Sequence, residues 1–132
     1  MYLRTTAEYS GVSIVANTQI TVTSAGTYDL QFSSQFHNTG GGGGGTTVTI
    51  WLRKGTTGGP ATNVSDTSTN VTVNTNSPYI VAAWNFVLTL EANEYLELVW
   101  STDNKNIIME WIDAVGSVPA IPSVIATLTQ VT

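Results

Sequence analysis

Apolar and polar residues alternate along much of this chain with the period of two that a half-buried strand requires. The alternation is sharpest over residues 82–100. There Ala82, Trp84, Phe86, Leu88 and Leu90 share one face, with Asn85 and Thr89 opposite. Leu96, Leu98 and Trp100 then share a face that Tyr95 and Glu97 oppose. The polar residues Glu91-Ala92-Asn93-Glu94 lie between the two runs, so the segment predicts a β-hairpin feeding an all-β core.

The same period recurs on both sides of it. Residues 12–16 and 19–23 predict short strands, and Ser24-Ala25-Gly26 a turn into a longer strand over 27–36. In that strand Tyr28, Leu30, Phe32 and Phe36 face one way, while Asp29, Gln31, Ser33 and Gln35 face the other. The glycine run 40–45 interrupts the pattern and predicts a flexible loop spanning about 37–46. It is followed by a strand, Thr46-Thr47-Val48-Thr49-Ile50, and by neither the Lys-Ser/Thr pair nor the helix that a phosphate-binding loop needs. The Thr/Asn/Ser-rich stretch 61–77 has only Val64, Val71 and Val73 as apolar anchors and predicts short edge strands between long loops. A turn at Asp103-Asn104-Lys105-Asn106 leads into a strand over 107–112, and Pro119 and Pro122 prepare a closing strand over 123–131. About nine or ten strands with no credible helix predict a single all-β domain over 1–132, a sandwich, jelly roll or barrel.

Composition narrows the class. At 132 residues the chain is long enough to bury a core without staples, and it contains no cysteine, which removes disulfides, thiolate metal sites and thiol nucleophiles together. Charged residues are only 10% of the chain, so Thr, Asn, Ser and Gly form the polar surface. The net charge of -5, with Arg4, Arg53, Lys54 and Lys105 as its basic residues, argues against nucleic acid and against anionic membranes. The first residues carry no apolar h-region and no run approaches a membrane span, so a soluble protein without a secretion signal is expected.

Candidate chemistry is sparse. His37 is the one histidine, and no serine has a charge-relay constellation around it in sequence. The bland reading of His37 is a solvated side chain at a strand end. Glu91, Glu94 and Glu97 are the densest carboxylates, and exposure around a turn explains them better than a paired-carboxylate site does. Asp103, Asn104 and Asn106, or Asp66 with Asn70, fall short of the ligand count that calcium needs. No catalytic, cofactor or metal residue is therefore assigned, and a non-enzymatic protein is expected.

The four tryptophans, Trp51, Trp84, Trp100 and Trp111, say more. Trp84 and Trp100 share faces with leucines, but Trp51 points away from Val48, Ile50 and Leu52, and Trp111 sits on a strand that is apolar on both faces. Strands of that kind imply a second covering surface, most simply another subunit, and this makes Trp111 a candidate interface residue.

The order of these pieces resembles a family. Ala25-Gly26-Thr27-Tyr28-Asp29-Leu30-Gln31-Phe32 resembles the Pro/Ala-Gly-x-Tyr-x-Phe strand of the jelly-roll superfamily that includes complement globular heads and tumour necrosis factor. Residues 48–55 (VTIWLRKG) resemble its strand ending in Lys-Asn-Gly, although that asparagine is missing at Lys54-Gly55, residues 86–98 its Leu-x-Leu-x-x-Gly-Asp-x-Val/Leu-x-Leu hairpin, and 123–131 its closing strand. AAWNFVLTL, EYLELVWS and PAIPSVIATLTQV are more narrowly similar to small tailed-phage virion proteins that use this jelly roll as homotrimeric decorations. The chain departs from the family at Asn93-Glu94, where Gly-Asp is usual, and in lacking the aromatic-Gly-aromatic pattern of the closing strand.

The resemblance implies an antiparallel jelly-roll sandwich assembled as a homotrimer, with the outward face of the Tyr28 strand and its partners, Gln31, Gln35, Tyr95 and Val99, lining the threefold axis. It also implies a structural role, a cement or decoration protein on the outer capsid surface of the virion, bound to the major capsid protein. Residues 1–9 would then form a docking arm, since Tyr2, Leu3 and Arg4 have no place in the strand pattern. The competing expectation is a tail or surface module that recognises host glycans, with Trp51 or Tyr79 stacking on sugars.

Overall fold

The computed structural model describes residues 1–3, 10–40, 46–75 and 78–132. Ten strands occur among them: β1 (Val12–Val15), β2 (Gln19–Val22), β3 (Gly26–Asn38), β4 (Thr46–Thr56), β5 (Thr62–Asn63), β6 (Thr69–Val73), β7 (Tyr79–Leu90), β8 (Glu94–Thr102), β9 (Ile107–Met109) and β10 (Val124–Gln130). They form two antiparallel sheets stacked as a β-sandwich. The six-stranded sheet runs β1-β2-β8-β4-β5, with β6 also paired to β4, and the four-stranded sheet runs β10-β3-β7, with β9 also paired to β3.

The inward faces are those the alternation predicts. Tyr28, Leu30, Phe32 and Phe36 of β3 are buried against Val48, Ile50 and Leu52 of β4 and Leu96 and Leu98 of β8. Aromatic edges fill the space between the layers: Phe32 meets Trp84 edge-on at 4.8 Å, and Phe36 meets Trp100 at 5.1 Å.

The hairpin expected over 82–100 does not form. β7 pairs with β3 from His37–Tyr79 to Gly26–Leu90, whereas β8 pairs with β2 and β4. The two strands therefore belong to different sheets, and Glu91–Asn93 arches across the sandwich. Alternation permits both outcomes, because inward side chains point into the core whether the second strand lies beside the first or across from it. The arch is pinned to the six-stranded sheet: Asn93 adopts a positive φ of 65°, donates its N–H to Val22 O at 2.9 Å and accepts the Thr57 N–H at 2.9 Å.

Two other boundaries shift. β3 continues through His37 to Asn38, whose buried side chain donates to Val73 O at 3.2 Å, so the loop expected from 37 begins later. Its glycines 41–45 lie outside the described residues. The strand expected over 107–112 ends at Met109, and the chain then leaves the sheet. Over 61–77 the short strands β5 and β6 appear as expected. They contact β4 at separate places, and between them the buried Thr67 hydroxyl accepts the Leu52 N–H at 3.1 Å, standing in for a missing ladder partner.

Candidate assembly surface

The outward face of the four-stranded sheet has an uncommon composition. β3 contributes Asp29 and His37, β7 has no acidic or basic side chain and only the phenol of Tyr79, and β10 has no titratable side chain. Across this face Val81 (64% exposed), Val87 and Tyr79 of β7 and Ile125 of β10 stand in solvent. Gln35 lies opposite Val81 and Asp29 opposite Val87, so aliphatic side chains alternate with small polar ones. Away from its His37 end, the charged group of this face among the described residues is Asp29, which accepts a hydrogen bond from Asn85 Nδ2 at 3.1 Å. A contiguous, weakly charged face of this kind is what protein interfaces present.

At one end of the face, the His37 ring stacks on Tyr79 with centroids 4.1 Å apart, and its Nδ1 lies 3.0 Å from Glu110 Oε2. Neither atom makes a hydrogen bond, so the contact is one of proximity alone. Both side chains are only about a fifth exposed. His37 is therefore a packed member of β3, not the solvated strand-end residue expected.

The residues expected at a subunit interface separate into two groups. Gln31 is exposed on the outward face between Asn85 and Thr127, and Gln35 is half-buried on the same face. Tyr95 and Val99 lie in β8 of the other sheet. Tyr95 is moreover only 1% exposed: its ring is covered by the turn after β4, and its hydroxyl donates to Gly59 O at 2.7 Å. Val99 is half-buried beside Trp51. Trp111 is 59% exposed, just past the end of β9, with its indole N–H donated to Asp113 at 3.0 Å.

The expected docking residues also divide. Tyr2 is 71% exposed, but Leu3 belongs to the core at 8%, and its N–H bonds Asn17 O at 2.6 Å. The Met1 amino group donates to Leu98 O at 2.9 Å, and burial pushes its pKa below the ordinary value although Glu97 nearby acts the other way. Residues 1–3 are thus fastened to the sandwich, because Leu3 completes the apolar layer. Arg4 lies outside the described residues.

The polar clusters serve turns. Glu94 Oε1 accepts the Glu91 N–H at 2.6 Å, and Asn104 Oδ1 accepts the Asn106 N–H at 2.9 Å while its amide donates to Thr46 Oγ1. Among the described residues no group of three or more His, Asp or Glu side chains converges as metal ligands would.

One apolar feature escaped the alternation. Between β9 and β10, residues 110–122 form a small projecting hairpin in which Ile112 and Ile121 exchange backbone hydrogen bonds of 3.0 and 2.8 Å, and Val115 and Val118 exchange bonds of 3.0 and 2.9 Å. Gly116 supplies the positive φ of 60° at the first turn position, with Ser117 at the second, the type II′ arrangement. The tetrapeptide Val115-Gly116-Ser117-Val118 is the sequence signal for it.

Compared with known proteins, the chain matches no family model and no curated protein sequence.

Proposed function

We propose that this protein is a non-enzymatic structural protein that assembles as a homotrimeric jelly roll and serves as a cement or decoration protein on the outer capsid surface of a tailed-phage virion, bound to the major capsid protein. The observation that carries the assembly half of this reading is the outward face of the four-stranded sheet, where Tyr79, Val81, Val87 and Ile125 are exposed on a surface with almost no charge. The strand order supports the jelly roll: the chain crosses from one sheet to the other at β2–β3, β3–β4, β6–β7, β7–β8 and β8–β9. The virion role rests on the resemblance of residues 82–90, 94–101 and 119–131 to phage decoration proteins. A trimer suits that role, since three identical weak contacts held together act at high effective concentration.

The glycan-binding alternative draws less support from the same surfaces. Trp51 is half-buried with its indole N–H tied to Asn63 at 2.9 Å, and one face of Tyr79 is already stacked on His37.

Two measurements test the reading. Light scattering on the purified protein is expected to give three times the chain mass, and Val81→Glu to give a folded monomer; a wild-type monomer at high concentration rejects the assembly. Quantitative mass spectrometry of purified particles is expected to find a copy number comparable with the major capsid protein. A few copies confined to the tail would reject the cement role in favour of host recognition.

A further inference from the structure

The projecting hairpin 110–122 is well built but leaves most of its apolar side chains exposed. Four reciprocal backbone hydrogen bonds hold it, yet Trp111, Val115 (70% exposed), Val118 and Ile121 all stand in solvent, and no charged residue follows Asp113 within it. Pro119 and Pro122 stiffen its returning strand, which lowers the entropy lost when it docks. Both of its roots are bonded to one residue of β3: Glu110 N–H donates to Gln35 O at 3.0 Å, and Gln35 N–H donates to Ser123 O at 2.9 Å. The hairpin therefore leaves from the β9/β10 edge of the four-stranded sheet.

The opposite edge of that sheet is the complementary surface. β7 pairs with β3 on one side and has no second strand among the described residues. Its 12 residues contain no charged side chain and no proline, the features with which proteins protect a free edge. Val81 and Val87 are exposed on its outer face, and Trp84, Phe86 and Leu88 on its inner face are only half-buried.

We infer that residues 110–122 are an exchange arm that covers the open β7 edge of a neighbouring copy of this chain. An apolar donor on one edge and an apolar acceptor on the other make a head-to-tail contact, and where the rotation between copies closes, as in a trimer, every copy gives one arm and receives one. Trp111, Val115 and Val118 of the arm and Val81 and Val87 of the edge are each 59% exposed or more, so both sides bring apolar surface toward the ~800 Å² per partner of a standard interface. The inference rests on the trimer proposed above and identifies what fastens it.

The chain contains no cysteine, so introduced thiols report contacts cleanly. The test has three parts. Wild-type protein is first weighed by light scattering: a monomer overturns the trimer and the arm together. Next, the arm variant Trp111→Ser/Val115→Thr/Val118→Thr changes only exposed positions, with folding followed by circular dichroism. Weakening of assembly by at least about tenfold is expected; an unchanged trimer overturns the arm while the trimer reading stands. Finally, Val118→Cys protein is mixed and reassembled with Val81→Cys or Val87→Cys protein and oxidised. A mixed disulfide dimer with either partner is expected. Its absence from both mixtures, or a dimer formed equally by Val118→Cys protein alone, overturns the assignment of the arm to the β7 edge.

Discussion

Tyr95 lies directly against the backbone of Gly55, its register partner across β8 and β4, so closely that a Cβ on Gly55 would sit 2.7 Å from the tyrosine hydroxyl and 2.6 Å from Pro60 O. That contact removes Tyr95 from the surface and lets its hydroxyl fasten the turn after β4 through Gly59. Gly55→Ala must displace either the ring or the turn, and we expect a loss of about 1–3 kcal/mol, the usual cost of overpacking. Tyr95→Phe keeps the ring and loses one hydrogen bond, about 1 kcal/mol. Thermal denaturation of both variants checks this, and a Gly55→Ala protein as stable as the parent would show that the contact relaxes freely.

Thr67 is expected to be irreplaceable by an isostere. Its hydroxyl accepts the Leu52 N–H and donates to Val64 O at 2.8 Å where neither β5 nor β6 reaches β4. Thr67→Val preserves shape and strands a buried N–H, at a cost of about 1–3 kcal/mol. Thr67→Ser retains the hydroxyl and should lose much less. Urea titrations of the pair separate the hydrogen bond from the packing.

The two described residues assigned to docking should behave oppositely. Leu3→Ala opens a cavity in the core and is expected to cost about 2–5 kcal/mol. Tyr2→Ala touches an exposed side chain and is expected within about 0.5 kcal/mol of the parent. Chemical denaturation measures both, and equal effects would mean that Leu3 is not packed as described.

His37 and Tyr79 should be energetically coupled. A double-mutant cycle on His37→Ala and Tyr79→Ala is expected to give an interaction of about 0.5–1.5 kcal/mol, the range for aromatic pairs. Additive losses would show that the stacking contributes nothing.

Which parts of this molecule were legible in the sequence follows from how local each signal is. The faces of β3, β4 and β8 could be read from residues such as Leu30, Ile50 and Leu98, because alternation is a property of the backbone itself. The projecting hairpin also carried a local signal, Gly116-Ser117 between two valines, but Pro119 and Pro122 made the segment look like a lead-in to the last strand. For the interface residues the sequence distinguished in from out only where no loop intervened: Gln31 stayed outward, whereas Tyr95, on the outward face of its strand, was covered by the turn at residues 57–60.

The sequence by itself determined an all-β chain, the approximate strand positions and the residues that face inward, since each follows from side chains a few positions apart. Only the tertiary structure decided which strand lies beside which. Glu91–Asn93 closes a hairpin or arches between layers with equal local chemistry, and the choice falls to the ladders that β3 offers β7 and β4 offers β8. It also decided that the Gln35 backbone anchors both ends of the apolar hairpin, because strands distant in sequence share its N–H and C=O groups. Pairing is a long-range property, set by the competition among all edges for partners, and no local pattern encodes its outcome.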